Sequence, residues 1–214
     1  IQGEYEEAKR YYNRALEVWE KALGADHSKV AMILNSLGMV NFEQGEYEEA
    51  KGYYKRALGI GKRALGAGHP NLVTSLNNLG MVSFGQGEYE EAEGYYERAL
   101  EIGEKALGVD HPHVGYPLMG IATVALKMKD PESARVHAER AMSIREVAAV
   151  APELLAEARF VLAQALWSKK HERVRARVLA EQAQDLWLNA SRADKETMEY
   201  LVEVNAWLAT HRVK

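Results

Sequence analysis

The hexapeptide GEYEEA occurs three times, at Gly3–Ala8, Gly45–Ala50 and Gly87–Ala92, each 42 residues after the last. A fixed period of this size is the mark of a solenoid, in which one supersecondary unit is stacked on copies of itself. The likeness extends past the hexapeptide. GEYEEAKRYYNRALEVWEKALGADH from Gly3 aligns with GEYEEAKGYYKRALGIGKRALGAGH from Gly45 and with GEYEEAEGYYERALEIGEKALGVDH from Gly87.

Each unit reads as two helices. From Glu46 to Leu65, the residues Tyr47, Ala50, Tyr53, Tyr54, Ala57, Leu58 and Ala64 recur at steps of three and four, which is one helical stripe. Glu46, Glu48 and Glu49 sit in the first turn and Lys62 and Arg63 in the last, each matched to the helix dipole. Gly66 is placed to end that helix. A second helix is expected from about Asn71 to Gln86, with Val73, Leu76, Leu79 and Gly80 on its inner face. Gly80 lets its partner helix come close, and Gly87 allows the tight turn into the next unit. One helix pair cannot bury its apolar face alone, so the pairs must stack. GEYEEA is therefore an architectural joint.

The pattern LG…QGEYEEA…YY.RAL resembles the tetratricopeptide repeat. The extra LG.DHP and LNNLG segments are similar to the 42-residue subtype of kinesin light chains and of many bacterial signalling proteins. The match covers residues 3 to 113. Two more units are degenerate: Lys129, Ala134, Ala138 and Ala141 continue the register, then Ala176, Ala180 and Ala183, with Pro152 to Trp167 as a partner helix. The expected fold is an all-α, right-handed helix-turn-helix solenoid, with residues 1–192 as the repeat array and 193–214 as a capping helix. In that cap Met198, Leu201, Val202, Asn205 and Leu208 lean to one face. Pro117 falls where Ser75 stands one repeat earlier, and Gly115 where Val73 stands. Such a proline is tolerated only in the first turns of a helix. The sequence begins with the second helix of a pair and reads as a piece of a longer protein. The stripe of Tyr5, Ala8, Tyr12 and Ala15 is then without an upstream partner, an apolar edge that invites self-association.

The resemblance implies a groove lined by the first helix of each pair. It assigns Met32, Asn35, Met39 and Phe42 to the second unit, and Thr74, Asn77, Asn78, Met81 and Phe84 to the third. The fourth contributes Tyr116, Met119, Thr123 and Leu126, and the fifth Glu157, Phe160, Gln164 and Trp167. In the family, Asn residues of an LNNL segment contact bound peptide; Asn77 and Asn78 match them, and Asn35 matches one. Methionine makes an adaptable apolar lining, and an Asn amide offers both donor and acceptor to a peptide backbone. No Lys or Arg falls at these positions in units two and three, with Lys127 the exception in unit four. A peptide chosen by its carboxylate would find few donors; an apolar or aromatic segment fits better.

Other chemistries find little support. Net charge is −4, from 27 basic and 31 acidic side chains, so a nucleic-acid or anionic-membrane partner is not expected. There is no cysteine, which removes disulfides, thiolate metal sites and a cysteine nucleophile, and fits a reducing, cytoplasmic setting. His27, His69 and His111 share the repeat register, but equivalent positions lie side by side along a solenoid and do not converge on one metal. They are read as caps or loop packing. No cofactor and no catalytic constellation are expected. ELLAEARFVLAQALW and VRARVLAEQAQDLW resemble the repeat tails of bacterial serine/threonine kinases, so a regulatory segment of a larger signalling enzyme is the alternative reading.

Overall fold

The computed structural model describes residues 2–190 and 195–212. The chain divides between Val109 and Asp110 into two compact units. The first holds α1 (Gln2–Leu23), α2 (Ser28–Glu43), α3 (Tyr47–Leu65), α4 (Leu72–Gly85) and α5 (Tyr89–Leu107). The second holds α6 (Gly115–Lys127), α7 (Pro131–Val147), α8 (Pro152–Leu166), α9 (Arg173–Leu188) and α10 (Lys195–Thr210). Short 3₁₀ turns, Pro112–Val114 and Lys170–Glu172, lead into α6 and α9. The fold is all-α and built of helix pairs, as expected. We call the even helices A-type and the odd ones B-type, after their place in the repeat. The expected boundary at 192/193 lies outside the described residues.

The α2–α3, α4–α5 and α6–α7 turns are tight because one residue in each takes a positive φ. Gly45 (φ 77°) and Gly87 (φ 79°) do so in the first unit. The Glu46 and Glu88 amides then donate back to the carbonyls of Asn41 (2.9 Å) and Ser83 (2.8 Å), closing the helix end. In the second unit Lys129 stands at the glycine position with φ 62°, and Asp130 caps α7 by accepting from the Glu132 and Ser133 amides.

B-to-A turns are capped by the periodic histidines. His27, His69 and His111 each accept through Nδ1 from the backbone N–H two residues on, at 3.2 Å in all three. Their role is the structural one expected. Pro117 is the third residue of α6, where its missing N–H has no intrahelical partner to lose.

Packing follows the repeat. Tyr54 and Tyr96 are buried against Gly38 and Gly80, while Tyr53 and Tyr95 are half-buried. Tyr11 and Tyr12 depart from this: both are exposed, with no A-type helix on the α1 stripe among the described residues. In the second unit the register places Ala122 and Ala138 where the first has Gly80 and Tyr96, and both alanines are fully buried. The α10 helix packs on α9 through Leu201 and Val204. It completes an aromatic cluster in which Trp187 stacks on Tyr200 (4.9 Å) and Phe160 meets Trp187 and Trp207 edge-on.

Ionic ties join successive B-type helices. Lys9 pairs with Glu46, and 42 residues on Lys51 pairs with Glu88 (2.7 Å) and Glu91 (2.6 Å). Lys51 is buried. Burial works against its charge, but hydrogen bonds to Glu88 and Glu91 outweigh this and raise its pKa. Glu91, bonded by Lys51 and by the Ser83 hydroxyl (2.7 Å), is held down at about 2.

Candidate functional site

The candidate positions of the first unit share one surface. Met32, Asn35, Met39 and Phe42 follow at steps of three and four on α2, and Thr74, Asn77, Met81 and Phe84 repeat that spacing on α4. The two helices are neighbours: the Ser75 hydroxyl donates to Asn35 Oδ1 at 3.1 Å. Met32 is 63% exposed, and Met39 and Thr74 are also exposed. Asn35, Asn77 and Met81 are half-buried.

Phe42 and Phe84 are half-buried and partly committed to the scaffold. Each packs on the tyrosine five residues later, Tyr47 and Tyr89, with ring centroids 5.6 Å apart. They form the floor of the surface at its helix ends.

The two asparagines differ. Asn35 Oδ1 is occupied by Ser75. Asn77 Oδ1 is buried with no protein hydrogen-bond partner among the described residues. A buried carbonyl oxygen left unsatisfied costs about 1–3 kcal/mol, so the Asn77 amide is a destabilising point beneath this surface.

Two candidate residues offer no such surface. Asn78 is buried at 7% exposure, about 100° around α4 from its neighbour Asn77, and Met119 is buried at 3% on α6. On the same helix Tyr116 is exposed and Thr123 half-buried, the latter with its hydroxyl donating to the Met119 carbonyl (2.9 Å). Leu126 packs against the Ala125–Ala134–Ala165 cluster.

The α8 positions are engaged within the second unit. Phe160 is buried, Gln164 donates to Glu203 of α10 (3.2 Å), and Trp167 lies edge-on to Trp207 (5.2 Å) and His211 (4.8 Å). Glu157 accepts from Arg145 at 2.9 Å.

Arg145 is the residue the sequence reading missed. It is buried on α7, donates also to the Leu154 carbonyl, and sets its guanidinium 5.9 Å from the Tyr116 ring centroid. Its register position is glycine in the first unit, at Gly61 and Gly103. Gly115, replacing Val73 in register, leaves the space: a Cβ there would lie 3.6 Å from Arg145 Nε. The paired exchange of Gly for Arg and Val for Gly was the available signal.

The surface on α2 and α4 carries no titratable group among its candidates. It offers apolar, flexible side chains and amides, which suits binding and supplies no acid, base or nucleophile. Among the described residues no group of three or more His, Cys, Asp or Glu side chains could hold a metal ion, and no helix is long and apolar enough to cross a membrane.

The sequence profile of the tetratricopeptide repeat matches residues 1–63, 29–102 and 71–146. Among curated proteins none matches by sequence. The solved structure of BtubC (BKLC) from P. vanneervenii is 20% identical over 100% of this chain and 78% of its own, with a TM-score of 0.69. A Podosopora anserina chain described as a kinesin light chain with nearly identical TPR-like repeats is 20% identical, covering 86% of this chain and 87% of its own, at 0.68. YrrB, a TPR protein with an unusual peptide-binding site, is 19% identical over 95% of this chain and 98% of its own, at 0.58. At these identities the likeness is one of fold.

Proposed function

We propose, because this chain belongs to the tetratricopeptide-repeat family, that it is a non-catalytic scaffold holding a protein partner through a peptide segment on its A-type helices. The fold is commonly a protein–protein interaction scaffold, and fold alone does not choose the ligand. The choice of ligand comes from the α2–α4 surface. Met32, Met39 and Met81 supply adaptable apolar contacts, and Thr74 and the two asparagines supply polar points. Asn78 and Met119, being buried, are left out of the contact surface.

The exposed methionines carry the reading: Met32 and Met39 take apolar or aromatic side chains of an extended segment, with Met81 and the amides of Asn35 and Asn77 half-buried beside them. None of its candidate residues is a Lys or Arg that could seize a carboxylate. YrrB, by its description, has a peptide-binding site on the same kind of fold, which supports the mode of use though not the ligand.

The test is a screen of the chain against a displayed library of disordered peptides. Its control carries Met39→Glu, Asn77→Ala and Met81→Glu, with retained helicity checked by circular dichroism. Enrichment of apolar or aromatic peptides that the control no longer binds is the expected result. No enrichment, or peptides held equally by the control, would contradict the proposal.

A further inference from the structure

We propose that the second unit carries a separate docking surface for an acidic segment of a partner protein, built on the α6–α7 and α8–α9 turns. The peptide surface on α2 and α4 belongs to the first unit, so the two proposals stand or fall apart.

Residues 1–109 carry 12 basic and 17 acidic side chains, and residues 110–214 carry 15 and 14. The acidic excess of the chain therefore belongs to the first unit. The difference is concentrated where an A-type helix gives way to a B-type helix. In the first unit those places bring Glu43, Glu46, Glu48 and Glu49, then Glu88, Glu90 and Glu91. In the second they bring Lys127 and Lys129, then Lys169, Lys170, Arg173 and Arg175.

Both basic turns go against what local stability favours. Lys129 holds φ at 62° where the two earlier repeats have Gly45 and Gly87, and the left-handed region is costly for a residue with a Cβ. α3 and α5 open with Glu48 and Glu49, and with Glu90 and Glu91, matched to the positive end of the helix dipole. α9 has no acid in its first turn and sets Arg173 and Arg175 there. Two local rules are broken, each time in favour of positive charge, which marks a place where the charge is used.

The two turns are neighbours, since Lys169 pairs with Glu132 in the first turn of α7. Lys127, Lys129 and Lys170 are exposed and have no ion-pair partner among the described residues. Arg173 is exposed too, its guanidinium 5.1 Å from the centroid of the half-buried Trp167 ring. Met128, between two of the lysines, is 41% exposed. The surface thus presents four cations around two apolar points.

This chemistry selects the partner. Carboxylates spaced along a protein segment can meet the cations one by one, with an apolar side chain between them for Met128 or Trp167. A nucleic-acid strand brings an unbroken row of phosphates, and Asp130, Glu132 and Glu172 stand among the cations to repel it.

The test is fluorescence anisotropy of the 214-residue chain with a fluorescein-labelled peptide of repeated Glu-Glu-Leu, and circular dichroism confirms that each variant folds. Saturable binding that weakens as salt is added is expected. Lys127→Glu with Lys170→Glu should weaken it ~tenfold, since two exposed charge contacts become repulsive. Lys55→Glu with Arg98→Glu, at exposed positions of α3 and α5, changes net charge equally and should leave binding near wild type. Lys129→Gly should weaken binding while its melting temperature does not fall. The chain with Met39→Glu, Asn77→Ala and Met81→Glu should bind the probe fully. In methyl spectra the probe should shift Met128 and leave Met32 in place. No saturable binding at low salt overturns the proposal, as do equal losses in the two double variants, full binding by Lys129→Gly, lost binding in the triple variant or an unmoved Met128. So does a single-stranded oligothymidylate held more tightly than the peptide, which would mark a nucleic-acid surface instead.

Discussion

Gly80 lies against the Tyr96 ring so closely that a Cβ at residue 80 would come within 2.6 Å of Tyr96 Cε1. Repeat spacing is set by this contact, since α4 and α5 approach until ring meets backbone. Gly80→Ala should cost about 1–3 kcal/mol, the usual range for overpacking. The chain carries a compensated form in its second unit, with Ala122 and Ala138 at the same two positions. In urea unfolding, Gly80→Ala with Tyr96→Ala should therefore destabilise by less than the sum of the single changes. Additive losses would show that the contact does not set the packing.

The Lys51–Glu91 pair gives stability a pH dependence with a defined sign. Glu91 titrates at about 2 in the fold against an ordinary 4.5, so its contribution is present above about 4.5 and is lost as pH falls from there toward 2. Lys51 is raised above its ordinary 10.5, so its contribution is intact below that value and fades as pH rises beyond it. Glu91→Gln should flatten the acid limb of the stability curve between pH 4.5 and 2. An unchanged acid limb would remove Glu91 from this role.

Lys129 holds φ at 62°, where both earlier repeats have glycine. A non-glycine residue in the left-handed region costs about 1–2 kcal/mol, and glycine gives back roughly 0.5–1 kcal/mol in unfolded-chain entropy. Lys129→Gly is expected to raise stability by about 0.5–1 kcal/mol, read as a higher melting temperature. Gly87→Ala should do the reverse by a similar amount. A destabilised Lys129→Gly variant would contradict this.

Arg145 is buried with Glu157 as its ionic partner. Removing one member of a fully buried pair typically costs about 3–5 kcal/mol, and less where, as with Glu157, the carboxylate is partly exposed; replacing both by apolar groups is milder still. Arg145→Met alone should therefore be worse than Arg145→Met with Glu157→Leu when unfolding of the second unit is followed by Trp fluorescence. The reverse order would mean that Arg145 acts through its alkyl stem alone.

How much of this was legible in the sequence depends on whether a residue's neighbour lies within the repeat. Glu46–Leu65 was expected and Tyr47–Leu65 is found; 71–86 was expected and Leu72–Gly85 is found. Glycines at fixed offsets mark those ends. Burial within one A-type helix was less legible, because Asn77 and Asn78 are adjacent and alike in chemistry while only their angle about the helix differs. Met119 was read as lining because its register matches Asn35, but the α6 side chain is apolar and turns into the core. Phe160, Gln164 and Trp167 meet α10, whose docking face no local pattern specifies. Lys51 could have been found: Lys9 with Glu46 and Lys51 with Glu88 share one separation, and a charge pair repeated at the repeat period is a contact signal.

The seven methionines allow the central claim to be read directly, because they report from different parts of the molecule. Methyl NMR of methionine-labelled protein, titrated with the most enriched peptide, should shift Met32, Met39 and Met81. Met128 and Met142, on the second unit, and Met198, on the outer face of α10, should stay in place. Shifts confined to those three, with Met32, Met39 and Met81 unmoved, would contradict a peptide site on the α2–α4 surface.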